Sequence, residues 1–101
     1  MIAQVSVFPI GKGVSIGPIV AAAVREIDKS GLEYRLTAMG TILEGEWEPL
    51  MKVLKRVHRQ TLKKCGRVYM TIALDDRKGK KGLIVSKVRS VERLLGASRR
   101  A

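Results

Sequence analysis

Residues 39–47 hold the groups of this chain that are best suited to bind a small molecule. A small-residue turn, the Thr41 hydroxyl, two carboxylates and the only tryptophan fall within this short segment. The chain carries a net charge of +11 and only nine acidic residues. Three of those acids lie in or directly after the segment, namely Glu44, Glu46 and Glu48. This local reversal of charge predicts a binding site, and a cation is the natural ligand.

Glu44 is the most informative of these acids, because strand alternation groups it with Ile42 and separates both from Thr41. If Ile42 faces the helices, Glu44 points toward an interior, where a carboxylate needs a partner. That partner is a cationic or amine-bearing ligand, or an arginine or lysine of the chain itself. Plain exposure is the third reading. Thr41 either hydrogen-bonds a ligand or packs as a strand residue.

Four further residues each have a binding and a structural interpretation. Gly40 permits a backbone conformation closed to other residues and also close approach of a ligand. Trp47 stacks on a cationic ring or anchors a core or interface. His58 is expected to face inward, as a ligand contact or as a hydrogen-bonded core residue. Ser15 caps a helix or offers its hydroxyl to a ligand.

The spacing of apolar residues predicts the elements that position these side chains. Alternation predicts strands at 2–9, 33–38, 41–46 and 67–75. Three helices are expected. The first runs from Ser15 to a stop at Gly31, and the second has Glu48 in its first turn and stops at Gly66. The third carries Ile84, Val88, Val91 and Leu95, and residues 97–101 are expected to be a frayed basic tail.

This order is β-α-β-β-α-β with an added helix, which predicts an α+β fold of the ferredoxin-like type. Its four-stranded antiparallel sheet would carry both crossover helices on one face. The other face would present Gln4, Ser6, Phe8, Tyr69, Thr71 and Ala73. This surface is too mixed for a core and too apolar to be simply solvated. We therefore expect it to pack against a second subunit or the third helix.

Length and composition limit the classes of protein to consider. At 101 residues the chain is expected to form one domain, residues 1–101. The lone Cys65, the lack of a signal-peptide pattern and the lack of a long apolar run favour a cytoplasmic protein. The cysteine and the histidine of the chain are not spaced as metal ligands would be, so no metal site is expected. The absence of asparagine beside many charged residues suggests a thermophilic source.

The motifs of the chain resemble those of the YkoF-like thiamine-binding family. The segments that carry this resemblance are Val5-x-Val7-x-Pro9-x-Gly11-x-Gly13-x-Ser15, Val20-Ala21, Ser30-Gly31-Leu32-x-Tyr34, Met39-Gly40-Thr41-x-x-Glu44-Gly45-x-Trp47, Met51-x-x-x-Lys55-x-x-His58, Arg67-Val68, Asp75-Asp76-Arg77 and Lys87-Val88-x-Ser90-Val91. The resemblance implies a small cytoplasmic ferredoxin-like protein that forms dimers or tetramers. Some such proteins bind thiamine or its hydroxymethylpyrimidine part, and many have no established role.

The leading hypothesis is therefore a non-catalytic protein that binds thiamine or a related aminopyrimidine. The candidate ligand-binding residues are Ser15, Met39, Gly40, Thr41, Glu44, Trp47 and His58. A carboxylate beside a hydroxyl can read both the aminopyrimidine and the permanent thiazolium cation. No cofactor is expected apart from this ligand.

Three other functions remain to be weighed. A structural or regulatory homodimer or homotetramer without thiamine binding is the alternative. The sequence does not favour nucleic-acid binding, because the sheet is expected to lack the paired aromatic residues that stack bases. An enzyme is not expected, since no nucleophile–base pair, phosphate-binding loop or metal set is visible.

Overall fold

The computed structural model describes residues 1–11, 13 and 15–96. Along the chain these residues form β1 (Ile2–Pro9), α1 (Ile16–Lys29), β2 (Glu33–Thr37), β3 (Gly40–Glu44), α2 (Trp47–Cys65), β4 (Val68–Asp75) and α3 (Leu83–Leu95). All seven elements were predicted from the sequence, and the bounds agree within two residues. The predicted basic tail at 97–101 lies outside the described residues.

The four strands form one antiparallel sheet in the order β2-β3-β1-β4. The chain crosses through α1 between β1 and β2 and through α2 between β3 and β4. This confirms the predicted ferredoxin-like α+β fold with an added C-terminal helix. The two outer strands, β2 and β4, lie at opposite edges of the sheet.

The core lies between the sheet and the two crossover helices. Alternate residues of β1 and β3 enter it, because side chains of a strand point to opposite faces in turn. From the helices come residues at helical spacing, which form one apolar face. The core residues include Ala3, Val5, Val7, Leu43, Ile19, Ala23, Ile27, Leu50, Val53, Leu54 and Val57.

The opposite face of the sheet, here called the open face, carries the six residues that the sequence predicted for it. Phe8 and Tyr69 lie side by side across β1 and β4 and are 44% and 58% exposed. The expectation that the sheet lacks paired aromatic residues was therefore wrong, since strand register brought together two residues far apart in sequence. The N-terminal end of α3, with buried Leu83 and Ile84, packs near the Glu44 end of β3.

Strand β3 divides the central motif between two faces. Thr41 pairs with Val5 and Leu43 with Ala3, and all four residues are buried on the helix side. Ile42 and Glu44 alternate with them and therefore lie on the open-face side. Ile42 therefore does not face the helices, and Glu44, on the same side as Ile42, does not point toward them.

Candidate functional site

A tight hairpin joins β2 to β3 and brings Gly40 close to β1. Thr37 pairs with Gly40, so Ala38 and Met39 form a two-residue loop. Gly40 has φ of 150°, and a Cβ atom added there would lie 2.7 Å from Ser6 Oγ and 2.8 Å from the Val5 carbonyl oxygen. Only glycine fits this position without displacing backbone.

Two side-chain hydroxyl groups fix the hairpin. Ser6 Oγ donates a hydrogen bond to the Met39 carbonyl oxygen at 2.8 Å. Thr37 Oγ1 donates to the Gly40 carbonyl oxygen at 2.7 Å and accepts from the Met39 amide at 3.2 Å. The hairpin is thus tied both to itself and to β1, so it forms a defined wall for the space beside it.

That space is a cavity of about 360 Å³ between α1 and the helix-facing side of the sheet. Apolar residues make most of its wall, among them Val5, Val20 and Val24. Ile16, Leu36 and Met39 also line it and are 52%, 61% and 79% exposed, so the cavity opens between the start of α1 and the hairpin.

The cavity has few polar groups. Among its described lining residues no side chain is charged, and the hydroxyl-bearing residues are Ser6, Thr37 and Thr41, of which Thr41 lies on the helix-facing side of the sheet. Ser6 and Thr37 donate to hairpin carbonyls. Thr41 is only 5% exposed, and in the described part of the chain its hydroxyl makes no side-chain hydrogen bond. A threonine hydroxyl at this position can serve as donor and acceptor for a ligand.

Three of the candidate residues from the sequence, Met39, Gly40 and Thr41, meet at this cavity. Ser15 directly precedes Ile16 and occupies the N-cap position of α1. Within the described residues, however, its hydroxyl makes no capping hydrogen bond, so the expected cap contact is not formed. The Ser15 hydroxyl is exposed near the open side of the cavity.

Glu44 lies at the other end of β3 and on the other side of the sheet, where it binds the start of α3. Its Oε2 accepts from the Leu83 amide at 2.8 Å, and its Oε1 accepts from the Ile84 amide at 3.1 Å. The N-cap residue of α3 is Gly82, which has no side chain to satisfy these amides. Glu44 therefore supplies the cap from a distant strand, a partner that none of the sequence alternatives included.

The pKa of Glu44 reflects two opposing influences. Desolvation by burial disfavours the charged form and acts to raise the pKa. The hydrogen bonds from the Leu83 and Ile84 amides and the positive charge of the chain's terminal amine stabilise the carboxylate and lower the pKa. Together they hold the pKa of Glu44 below its usual value of 4.5, so the carboxylate is ionised near neutral pH.

A second contact ties α3 to the sheet. The Lys87 ammonium group of α3 donates a hydrogen bond to the Asp75 carboxylate at the end of β4, and the two groups form an ion pair. The Lys87 ammonium group, through its hydrogen bond and its charge, lowers the pKa of Asp75. Both side chains are about half exposed, so this pair contributes less to the attachment of α3 than the partly buried Glu44 contacts.

The remaining two candidates do not reach the cavity. Trp47 is the first residue of α2 and is 55% exposed, so it lies outside the core. His58 was expected to face inward, and this was wrong because it is exposed. The buried face of α2 runs through Val57 and Thr61, and His58 lies about 100° further round the helix. His58 borders a shallow groove of about 420 Å³ beside β4.

The sequence analysis missed part of the lining, since Val20, Ala23 and Val24 were assigned only to the apolar face of α1. Ala23 is 5% exposed and its short side chain leaves room between α1 and the sheet. The run of three alanines at 21–23 was the available signal. Leu36, at an edge strand, gave no such signal.

Two further features concern the described part of the chain as a whole. Among the described residues no three His, Cys, Asp or Glu side chains come together to hold a metal ion. Of the helices that the structure describes, each is too short or too polar to span a lipid bilayer.

The chain is similar in sequence to proteins of a known family. Residues 3–92 match the family described as thiamine-binding protein. A UPF0045 protein of Methanocaldococcus jannaschii is 34% identical over 94 residues, which cover 93% of this chain and 94% of the relative. The UPF0045 protein YqgV of Bacillus subtilis is 35% identical over 103 residues, which cover 93% and 96%.

Solved structures give the same picture of the fold. The crystal structure of the Methanocaldococcus jannaschii protein, 34% identical, matches with a TM-score of 0.82 over 89% of this chain and 93% of that chain. A domain of unknown function from Bacillus cereus, 28% identical, matches with a TM-score of 0.80 over 90% and 88%.

Proposed function

The chain belongs to the thiamine-binding protein family, and from this premise we propose that it is a non-catalytic protein that binds thiamine or a related aminopyrimidine. The binding site is the cavity between α1 and the β2–β3 hairpin. The observation that carries the proposal is the Thr41 hydroxyl on the wall of an otherwise largely apolar space of about 360 Å³.

The cavity suits a flat heteroaromatic ring. Its volume falls in the range of about 300–1,000 Å³ that is typical of small-molecule sites. Val5, Val20 and Val24 offer apolar surface to the faces of a ring. The Thr41 hydroxyl can accept from an exocyclic amine and donate to a ring nitrogen, which are the polar groups of an aminopyrimidine.

The uncharged character of the described lining suggests how the ligand would be oriented. Among the described lining residues no carboxylate is present to receive a thiazolium cation. Glu44, the residue that the sequence favoured for this task, is hydrogen-bonded to α3. We therefore expect the aminopyrimidine half to enter the cavity and the thiazolium to remain at the open side, near Leu36 and Met39. Hydroxymethylpyrimidine and thiamine should then bind with similar affinity.

Isothermal titration calorimetry with thiamine and with hydroxymethylpyrimidine tests this proposal. Leu36→Trp should obstruct the open side and weaken binding of both ligands at least about tenfold, which corresponds to about 1.4 kcal/mol. Leu74→Trp is the matched control, because Leu74 is a 44% exposed leucine on the opposite edge strand. Absence of binding heat for both ligands at millimolar concentration would reject the proposal and favour a structural or regulatory role.

We also propose that the protein forms a homodimer or homotetramer through the open face. Phe8 and Tyr69 expose large aromatic surface there, and α3 adds Val88 and Val91, each 56% exposed. Exposed apolar surface of this kind is typical of subunit interfaces. Sedimentation equilibrium should show an oligomer that Phe8→Glu dissociates. Leu62→Glu, at a 41% exposed position on α2, should leave it intact. A wild-type monomer would reject this interface.

A further inference from the structure

The outer surface of α2 carries a single-sign row of charges. We call it the cation stripe and define it by Lys52, Lys55, Arg56, Arg59 and Lys63, all of which are exposed. At about 100° of rotation per residue, these five positions fall within an arc of about 100°, opposite the buried face of the helix. With a rise of about 1.5 Å per residue, the stripe is about 17 Å long.

Between Lys52 and Lys63 the helix α2 carries no acidic residue. The one acidic residue of α2 is Glu48, which lies a turn before Lys52. Elsewhere Glu26 pairs with Lys29, Glu46 with Lys81, and Asp75 with Lys87, while Glu44 caps α3. Within the described part of the chain, no carboxylate lies within 4.0 Å of a stripe cation.

The like charges of the stripe lower the stability of α2. Like charges three or four residues apart on a helix repel, as in the pairs Lys52–Arg56, Lys55–Arg59 and Arg59–Lys63. Solubility alone would be served equally well by a face of mixed sign. A polyanion laid along α2 would convert the repulsion into attraction, so the stripe is complementary in charge to the phosphates of a nucleic acid backbone.

We propose that the cation stripe binds the phosphate backbone of double-stranded nucleic acid without reading its sequence. A duplex carries about one charge per 1.7 Å of its axis, so about ten phosphates lie within the length of the stripe. Single strands are usually held by stacked aromatic side chains. The paired aromatics Phe8 and Tyr69 lie on the open face, on the side of the sheet away from α2. Contact with backbone phosphates requires no aromatic residue, so the sequence argument against nucleic acid does not apply to this surface.

The salt dependence of binding to a labelled duplex of about 24 base pairs measures how many phosphates are neutralised. Five contacts predict a slope of about −4.5 for log K against log salt, or about a 500-fold loss of affinity from 50 to 200 mM. The double variant Lys55→Gln/Arg59→Gln should reduce the slope to about −2.7, or about a 40-fold loss over the same range.

Arg89→Gln/Arg93→Gln is the matched control, because it removes the same net charge from exposed positions of α3. Its slope should equal that of the wild type, and circular dichroism should show both double variants folded. An equal loss of slope in the control would overturn the proposal in favour of net charge. Absence of binding at 50 mM salt, tighter binding to a single strand, or binding to phosphatidylserine vesicles with none to the duplex would also overturn it.

Discussion

The two ends of β3 differ in what they do with the same short motif. At the hairpin end, Gly40 and Thr41 border a cavity that opens to solvent. At the other end, both carboxylate oxygens of Glu44 accept hydrogen bonds from amides of α3. Thr41 and Glu44 are three positions apart, about 10 Å along a strand, and point to opposite faces. A motif that is contiguous in sequence is therefore divided between a candidate ligand site and a structural anchor.

The position of Glu44 shows that an acidic residue in a basic chain does not need a bound cation as its partner. The charge reversal around residues 44–48 suggested a bound cation, whereas the positive partner of Glu44 is the N-terminus of a helix. Partial charges on backbone amides do not appear in a count of lysine and arginine. The apolar cavity, which no charge pattern marks, is the better candidate for a ligand.

The largest effect is expected at the hairpin end from Gly40→Ala. The new Cβ would meet the Val5 carbonyl oxygen at 2.8 Å in a conformation that disfavours side chains. We expect a loss of about 2–4 kcal/mol in the free energy of unfolding, measured by urea denaturation. Gly17→Ala is the control, because nothing lies within 4 Å of its added Cβ. A Gly40 variant as stable as the control would contradict the geometry of the hairpin.

At the other end, Glu44→Gln keeps the shape of the side chain and removes its charge. One amide of α3 can still be satisfied, so we expect a loss of about 1–2 kcal/mol in the free energy of unfolding. Thiamine affinity should stay at the wild-type value. A loss of affinity in a variant that remains folded would show that the two ends of β3 are not independent.

The same variant should change the response to acid. The folded-state pKa of Glu44 lies below the usual value of 4.5, so its stabilising contribution is complete above that value. The contribution is lost as the pH falls through the lowered folded-state pKa. The wild-type melting temperature should therefore drop more steeply below about pH 4.5 than that of Glu44→Gln. Parallel melting curves from pH 7 to pH 3 would contradict this.

Thr41→Val removes the cavity hydroxyl while keeping its volume. We expect hydroxymethylpyrimidine and thiamine to bind about five- to tenfold more weakly, equivalent to about 1 kcal/mol, by isothermal titration calorimetry. The melting temperature should change little, which distinguishes this variant from Glu44→Gln. Unchanged affinity would remove Thr41 from the site.

The smallest effect is expected outside both ends, on the cation stripe of α2. Lys55→Gln/Arg59→Gln relieves repulsive pairs, each worth about 0.2–0.5 kcal/mol, so the variant should be slightly more stable than the wild type at low salt. The gain should disappear near 1 M salt, where charges are screened within about 3 Å. A destabilised variant would indicate that these side chains pack rather than repel.

Much of the fold followed from local pattern. Alternation in β1 and helical spacing in α1 and α2 predicted which of their residues enter the core, because one buried face imposes a period on each element. The same alternation did not predict burial in the second half of β4, where Ile72 and Leu74 are 45% and 44% exposed. The inward orientation of His58 was wrong because its neighbour Val57 lies nearer the centre of the buried face. In the candidate site, Met39, Gly40 and Thr41 were identified from type and spacing, while Leu36 and Val24 were missed as lining residues.

The sequence by itself determined the order of elements, the ferredoxin-like sheet and the hairpin at Gly40. Each of these depends on periodicity, turn chemistry and chain handedness over short segments. Tertiary structure alone decided the partner of Glu44, which is 39 positions from Leu83, and the pairing of Phe8 with Tyr69. These contacts depend on how the sheet assembles and where α3 packs, and no local pattern encodes a distance between residues so far apart along the chain.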